Sequence, residues 1–104
     1  MYSIVYTTFP DSFQAHRLID HLLEDRSIAC ANVFNIESKY RWQGEIVKEQ
    51  EIGVFLKTRK ELVEKVIKTI EDEHPYDVPC AVELPLGKGS HDYLGWLREE
   101  TSSE

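Results

Sequence analysis

Two runs with the alternation of β-strands, Ile28 to Trp42 and Glu45 to about Thr58, meet at Gln43-Gly44, where a glycine supplies the positive φ of a tight turn. This hairpin constrains the fold more than any other feature. At roughly 3.3 Å per residue, about 14 residues per strand make a ribbon about 45 Å long, whereas a domain of about 100 residues has a radius of gyration near 13 Å. The hairpin must overhang its own domain, bend sharply or pair with something else. A two-residue turn sets Trp42 opposite Glu45, Tyr40 opposite Val47, Phe34 opposite Gly53 and Val33 opposite Val54. One face then carries Ala31, Val33, Ile52, Val54 and Leu56; the other carries Ile28, Cys30, Phe34 and Phe55 near the base, with Tyr40, Trp42 and Val47 toward the tip. Both faces are apolar at the base.

The remaining elements fall on either side of the hairpin. Tyr2 to Thr8 has the β-branched and aromatic composition of a strand, stopped at Pro10-Asp11. Asp11 with Gln14 forms a capping-box pattern, and Ala15, Leu18, Ile19, Leu22 and Leu23 then share one face of a helix ending near Arg26. Thr58 with Glu61 makes a second capping-box pattern before Leu62, Val63, Val66, Ile67 and Ile70, and His74-Pro75 ends that helix. Pro79 to Leu84 reads as a short strand, Ser90 caps a last helix carrying Tyr93, Leu94, Trp96 and Leu97, and Thr101 to Glu104 reads as a frayed polar tail. The order is β-α-β-β-α-β plus a helix: a single α+β domain over residues 1–104 on the ferredoxin-like, split-βαβ plan. In that plan the two main helices cover one face of the sheet, so the second apolar face calls for another chain as cover. The plainer alternative is that the last helix folds over it, hiding the base but not the aromatic tip.

Composition narrows the function. The 19 acidic residues outnumber the 12 basic ones, a net charge of −7 that argues against nucleic acid as a partner. The nearest basic cluster, Lys57, Arg59 and Lys60, runs straight into Glu61 and Glu64 and reads as the solvated start of a helix. No apolar run approaches the roughly 20 residues of a membrane helix, and the N-terminal residues lack a signal-peptide pattern, so the expectation is a cytoplasmic protein with no membrane partner. Cys30 and Cys80 are too few and too far apart for a disulfide framework or a CxxC site and default to buried apolar roles. No GxSxG, Walker A, HExxH or GxGxxG pattern occurs, and the expectation is that the chain is not an enzyme. An acylphosphatase-like enzyme on the same fold would need a phosphate-cradling loop after the first strand, where Thr7-Thr8-Phe9-Pro10 stands.

Five blocks then become recognisable in order: Arg26-Ser27-Ile28-Ala29-Cys30-Ala31-Asn32, Tyr40-Arg41-Trp42-Gln43-Gly44-Glu45-Ile46, Leu56-Lys57-Thr58, His74-Pro75-Tyr76-Asp77-Val78-Pro79 and Asp92-Tyr93-Leu94-Gly95-Trp96-Leu97. Collinear from Tyr2 to about Glu99, they resemble the CutA family of divalent-cation tolerance proteins. The resemblance implies a homotrimer of ferredoxin-like sheets around a threefold axis, an architecture shared with PII-type signalling proteins, and a role in tolerance of copper and other divalent cations.

The resemblance also implies a copper site in some members, in which a cysteine ends the first strand and a histidine stands at the His-Pro-Tyr block. Here the strand position is Thr7, His74 is retained after Glu73, and Cys80 replaces the glutamate that often follows the second proline. The candidate metal ligands are therefore His74, Glu73 and Cys80, a set whose imidazole and thiolate favour Cu(I), Cu(II) or Zn(II). His74 has a plainer role open to it, bonding backbone carbonyls at a helix end, and His16 and His21 read as surface residues. The candidate cleft and interface residues are Cys30, Tyr40, Trp42, Tyr76 and Trp96, with Lys57 and Asp92 as polar groups. The alternative function is a PII-like trimeric sensor binding a small molecule or anion in inter-subunit clefts lined by these residues, an analogy at the level of the fold.

Overall fold

Pairing along the hairpin dictates the rest of the molecule. The computed structural model describes residues 1–102; it contains strands β1 (Tyr2–Phe9), β2 (Cys30–Trp42), β3 (Glu45–Arg59) and β4 (Ala81–Pro85), helices α1 (Ser12–Glu24), α2 (Val63–Glu73) and α3 (His91–Glu99), and a 3₁₀ turn at Lys60–Leu62 before α2. The strands form one antiparallel sheet in the order β2-β3-β1-β4, as the ferredoxin-like plan requires. In β2 and β3 the register is the one that a turn at Gln43-Gly44 imposes, with Trp42 opposite Glu45, Phe34 opposite Gly53 and Val33 opposite Val54. Both turn residues have positive φ, 49° at Gln43 and 83° at Gly44, the pattern of a type I′ turn that matches the twist of the strands.

Side chains alternate across the sheet. Ser3, Val5, Thr7 and Phe9 of β1 share the face of Val54 and Leu56, and against it α1 contributes Ala15, Leu18, Ile19 and Leu22 while α2 contributes Val63, Val66 and Ile70. These residues make one buried core. Asp11 caps α1, its carboxylate accepting from Gln14 N–H and Gln14 Nε2 at 2.9 Å each. The helix ends in a Schellman turn: Arg26, at φ 61°, donates to Leu23 O and Ser27 N–H donates to Leu22 O.

Several local expectations are corrected. Ile28 lies before β2 and is buried in the helix-covered core rather than on the opposite face. Thr58 caps no helix: it pairs with Ser3 of β1 near the end of β3, and its hydroxyl donates to Ser27 O at 2.6 Å, tying the hairpin base to the α1–β2 turn. The α2 segment instead starts through the 3₁₀ turn without a side-chain cap. Ser90 stands at the N-terminus of α3, but its side chain makes no capping bond there, and β4 begins at Ala81 rather than Pro79. The tail is not frayed at Thr101, which is 3% exposed and receives bonds from the Arg59 guanidinium; Ser103 and Glu104 lie outside the described residues. Nor is the basic cluster a solvated helix face. Lys57 donates to Tyr93 Oη at 3.2 Å, Arg59 holds the end of α3, and Lys60 pairs with Glu83 at 2.7 Å.

The other face of the sheet stays largely open. Tyr6, Phe34 and Phe55 form an edge-to-face row there, with centroids 5.7 and 5.0 Å apart. Gly53 is required beside them, since a Cβ at that position would lie 2.6 Å from Phe34 Cε2. Helix α3 buries Leu97 and reaches the base of this face through Tyr93, but Val82 and Leu84 remain 51% and 43% exposed. Toward the tip, Tyr40 and Trp42 are also exposed, on an arm that lengthens the molecule to 45 Å.

Candidate functional site

The β1 pairing stops at Phe9 and Ile52, and beyond it the hairpin continues alone. The segment from His74 to Cys80, leaving α2 through His74-Pro75, curls back beside Glu51. Between this segment and the overhanging strands lies a cleft of about 530 Å³, whose lining includes Tyr40, Trp42, Glu49, Glu51, Tyr76 and Asp77.

Hydrogen bonds fix its walls. Tyr76 Oη donates to Glu51 Oε2 at 2.7 Å, and Tyr40 Oη donates to Glu49 Oε1 at 2.5 Å. Both phenols are held protonated: burial and the Glu51 bond push Tyr76 above the usual phenol range, and the bond to Glu49 pushes Tyr40 up to about 12. Glu51 is only 7% exposed, yet no cationic side chain among the described residues forms an ion pair with it. The Cys80 thiol also lines the cleft, where burial and then the Glu51 charge push its pKa up and keep it a neutral thiol.

His74 is committed to structure. Its Nδ1 accepts from Tyr76 N–H at 3.0 Å, which fixes the proton on Nε2, and Nε2 donates to Thr8 O at 2.6 Å. The ring stacks on Phe9 with centroids 4.3 Å apart, and burial lowers its pKa. The sequence had singled out this residue as a ligand or a helix-end anchor; the geometry is that of the anchor. Glu73 points elsewhere, to His21 Nδ1 at 2.8 Å, so His21 has a partner although it is exposed. His74, Glu73 and Cys80 are thus not assembled as a ligand set, and among the described residues no group of three or more His, Cys, Asp and Glu side chains is placed to hold a metal ion. Thr7 faces the core, where its Oγ1 is the one buried side-chain polar atom without a hydrogen-bond partner among the described residues.

Within one chain the residues expected to line an inter-subunit cleft stand in two places. Tyr40, Trp42 and Tyr76 meet with Cys80 at the arm, whereas Trp96 packs on Tyr93 near Lys57 at the hairpin base. Lys57 and Glu51 are six positions apart on β3, about 20 Å at the rise of a strand. Cys30 pairs with Lys57 in register, and Asp92 is exposed at the start of α3 beside His91. Glu49 and Glu51 were missed by reading the sequence. Their signal was present: alternate positions on the same face as Tyr40 and Trp42, with one of the two buried.

Residues 3–100 match the family model described as CutA1 divalent ion tolerance protein. The divalent-cation tolerance protein CutA of Pyrococcus horikoshii is 45% identical over 98 residues, spanning 94% of this chain and 96% of that protein. That of Thermus thermophilus is 39% identical over 102 residues, spanning 97% and 99%. Among solved structures, CutA1 from Pyrococcus horikoshii superposes with a TM-score of 0.93 at 44% identity, covering 97% of this chain and 99% of that one. A structure named as the periplasmic divalent cation tolerance protein CutA from Archaeoglobus fulgidus gives a TM-score of 0.94 at 33% identity, covering 96% and 98%.

Proposed function

The chain belongs to the CutA1 divalent ion tolerance family, and on that premise we propose that it acts in divalent-cation tolerance as a homotrimer in the cytoplasm, without catalysing a reaction. The open apolar face of the sheet carries the assembly half of this reading. Tyr6, Phe34, Phe55, Val82 and Leu84 line a surface that α3 covers only at its base, and an exposed apolar sheet is a surface that association buries. The number three comes from the family resemblance. The compartment is supported by the free thiols of Cys30 and Cys80, which suit a reducing environment, although the Archaeoglobus relative is named periplasmic.

The residues do not fit a copper centre of the kind that resemblance implied. Thr7 offers a buried hydroxyl where that centre has a thiolate, both ring nitrogens of His74 are engaged, and Glu73 is paired with His21. The cation relation is therefore proposed without a His74, Glu73 and Cys80 centre; saturable copper binding that His74→Ala removes, measured by isothermal titration, would overturn that part. No observation favours the anion-sensor alternative, since the cleft has carboxylates and no basic residue in its lining. The function is tested by expressing the chain in a host lacking its own family member and measuring growth in elevated copper and zinc. Restored tolerance is expected, and growth identical to the empty host contradicts the proposal.

A further inference from the structure

We propose that α3 is a releasable strap: a clamp on its C-terminal end holds it shut over the base of the sheet, and it opens as a unit while the sheet, α1 and α2 stay folded. The helix is weak in its own right. Its nine residues, His91–Glu99, fall short of the roughly 12–15 at which an isolated helix becomes even marginal in water. Gly95 stands in its interior, where glycine is the poorest helix former after proline. No close approach requires it, since a Cβ there meets nothing within 4 Å among the described residues. Ser90 at the N-terminus makes no capping bond, and Leu97 is the residue that α3 buries. Length, glycine and missing cap belong to the helix itself, whatever lies over the sheet.

The bonds that fix α3 gather instead at its last turn. Arg59, at the end of β3, sends Nη2 to Arg98 O at 3.0 Å and also to Thr101 O, while its Nε donates to Thr101 Oγ1 at 2.7 Å. Thr101 Oγ1 in turn donates to Leu97 O at 3.0 Å. The guanidinium thereby satisfies carbonyls that a helix C-terminus leaves orphaned, and it puts positive charge at the negative end of the helix dipole. Just beyond, Ser102 N–H donates to Arg26 O at 2.9 Å, so the α1–β2 turn grips the same end. The tie nearer the N-terminus is the bond from Lys57 to Tyr93 Oη at 3.2 Å. An element with little stability of its own, held by bonds concentrated at one end, opens at a free energy below that of global unfolding. Opening breaks the Lys57 bond and uncovers the base of the sheet, so the strap sets how much of that face the chain presents.

The test is amide hydrogen exchange of the full chain in its assembled state, read by mass spectrometry. In the wild type the amides of α3 are expected to exchange faster than those of β1 and α1. Arg59→Met keeps the stem and removes the guanidinium; it should speed exchange in α3 about tenfold or more and leave β1, α1 and α2 unchanged. Gly95→Ala should slow α3 alone by about fivefold, through the better helix propensity of alanine, and it keeps the test intact should Arg59→Met fail to fold. Exchange that rises equally in α3 and β1 on Arg59→Met overturns the proposal, because α3 then opens only with the whole chain. So does exchange in α3 untouched by Arg59→Met, which would mean that Leu97 or another copy holds the helix. Exchange no slower in Gly95→Ala than in the wild type also overturns it, since the glycine would then answer to a contact within the assembly.

Discussion

Val54 and Phe55 are neighbours on β3, and they face two different environments. Val54 is fully buried under α1 and α2, among side chains of the same domain; Phe55 lies on the opposite face, half-buried and touching Tyr6 and Phe34, away from α1 and α2. Both faces are apolar at the hairpin base, so hydrophobicity alone does not distinguish them. The difference comes from topology: in a split-βαβ sheet both crossover helices pack on one side. An apolar surface is thereby left for association, and folding and assembly are assigned to opposite faces of the same strand.

Substitutions at adjacent positions should separate the two roles. Leu56→Ala removes a fully buried side chain from the helix-covered core and should lower unfolding free energy by about 3 kcal/mol, read by denaturant titration. Phe55→Ala should instead weaken association by about 2 kcal/mol, the typical loss for an aromatic interface anchor, read as dissociation on dilution with helical content retained. Identical behaviour of the two variants would break the comparison. A smaller effect sharpens it: Thr7→Val replaces the orphaned hydroxyl of the core face and should raise stability by about 1 kcal/mol, with assembly unchanged.

Much of this division was legible in the sequence. The turn residues fixed the hairpin register, and period-2 alternation assigned residues to faces, because one residue of slip would have moved every side chain to the wrong side. Local chemistry was less legible where a residue had two partners to choose from. Thr58 fits a capping box by spacing, but its hydroxyl donates to the carbonyl of Ser27 across the hairpin base. Thr101 looks like a tail residue until Arg59, distant in sequence, folds over it. At the candidate site, composition located the aromatic tip but not Glu51, since a buried carboxylate is invisible until the chain segment that covers it is placed. His74 reads equally as a ligand or a helix-end anchor in the sequence, and only geometry shows that both its nitrogens are already used.

The smallest expected effect concerns protons. Burial lowers the His74 pKa below its unfolded value near 6.5, so the unfolded chain binds the extra proton first. Stability contributed by neutral His74 is therefore present above that value and is lost as pH falls from about 6.5 through the lowered folded-state pKa. His21 runs the other way, raised chiefly by its hydrogen bond to Glu73, but it is exposed and its pair is screened by solvent. Melting curves between neutral and mildly acidic pH should show a falling midpoint that His74→Gln flattens and His21→Ala leaves nearly unchanged. A slope untouched by His74→Gln would remove histidine from the account.

The central claim is that the open face of the sheet is closed by other copies of this chain. Light scattering coupled to gel filtration measures it directly. The account predicts a mass of three chains that persists on dilution into the micromolar range, and a lower mass for Phe55→Glu; a wild-type chain that elutes and scatters as a monomer would contradict it.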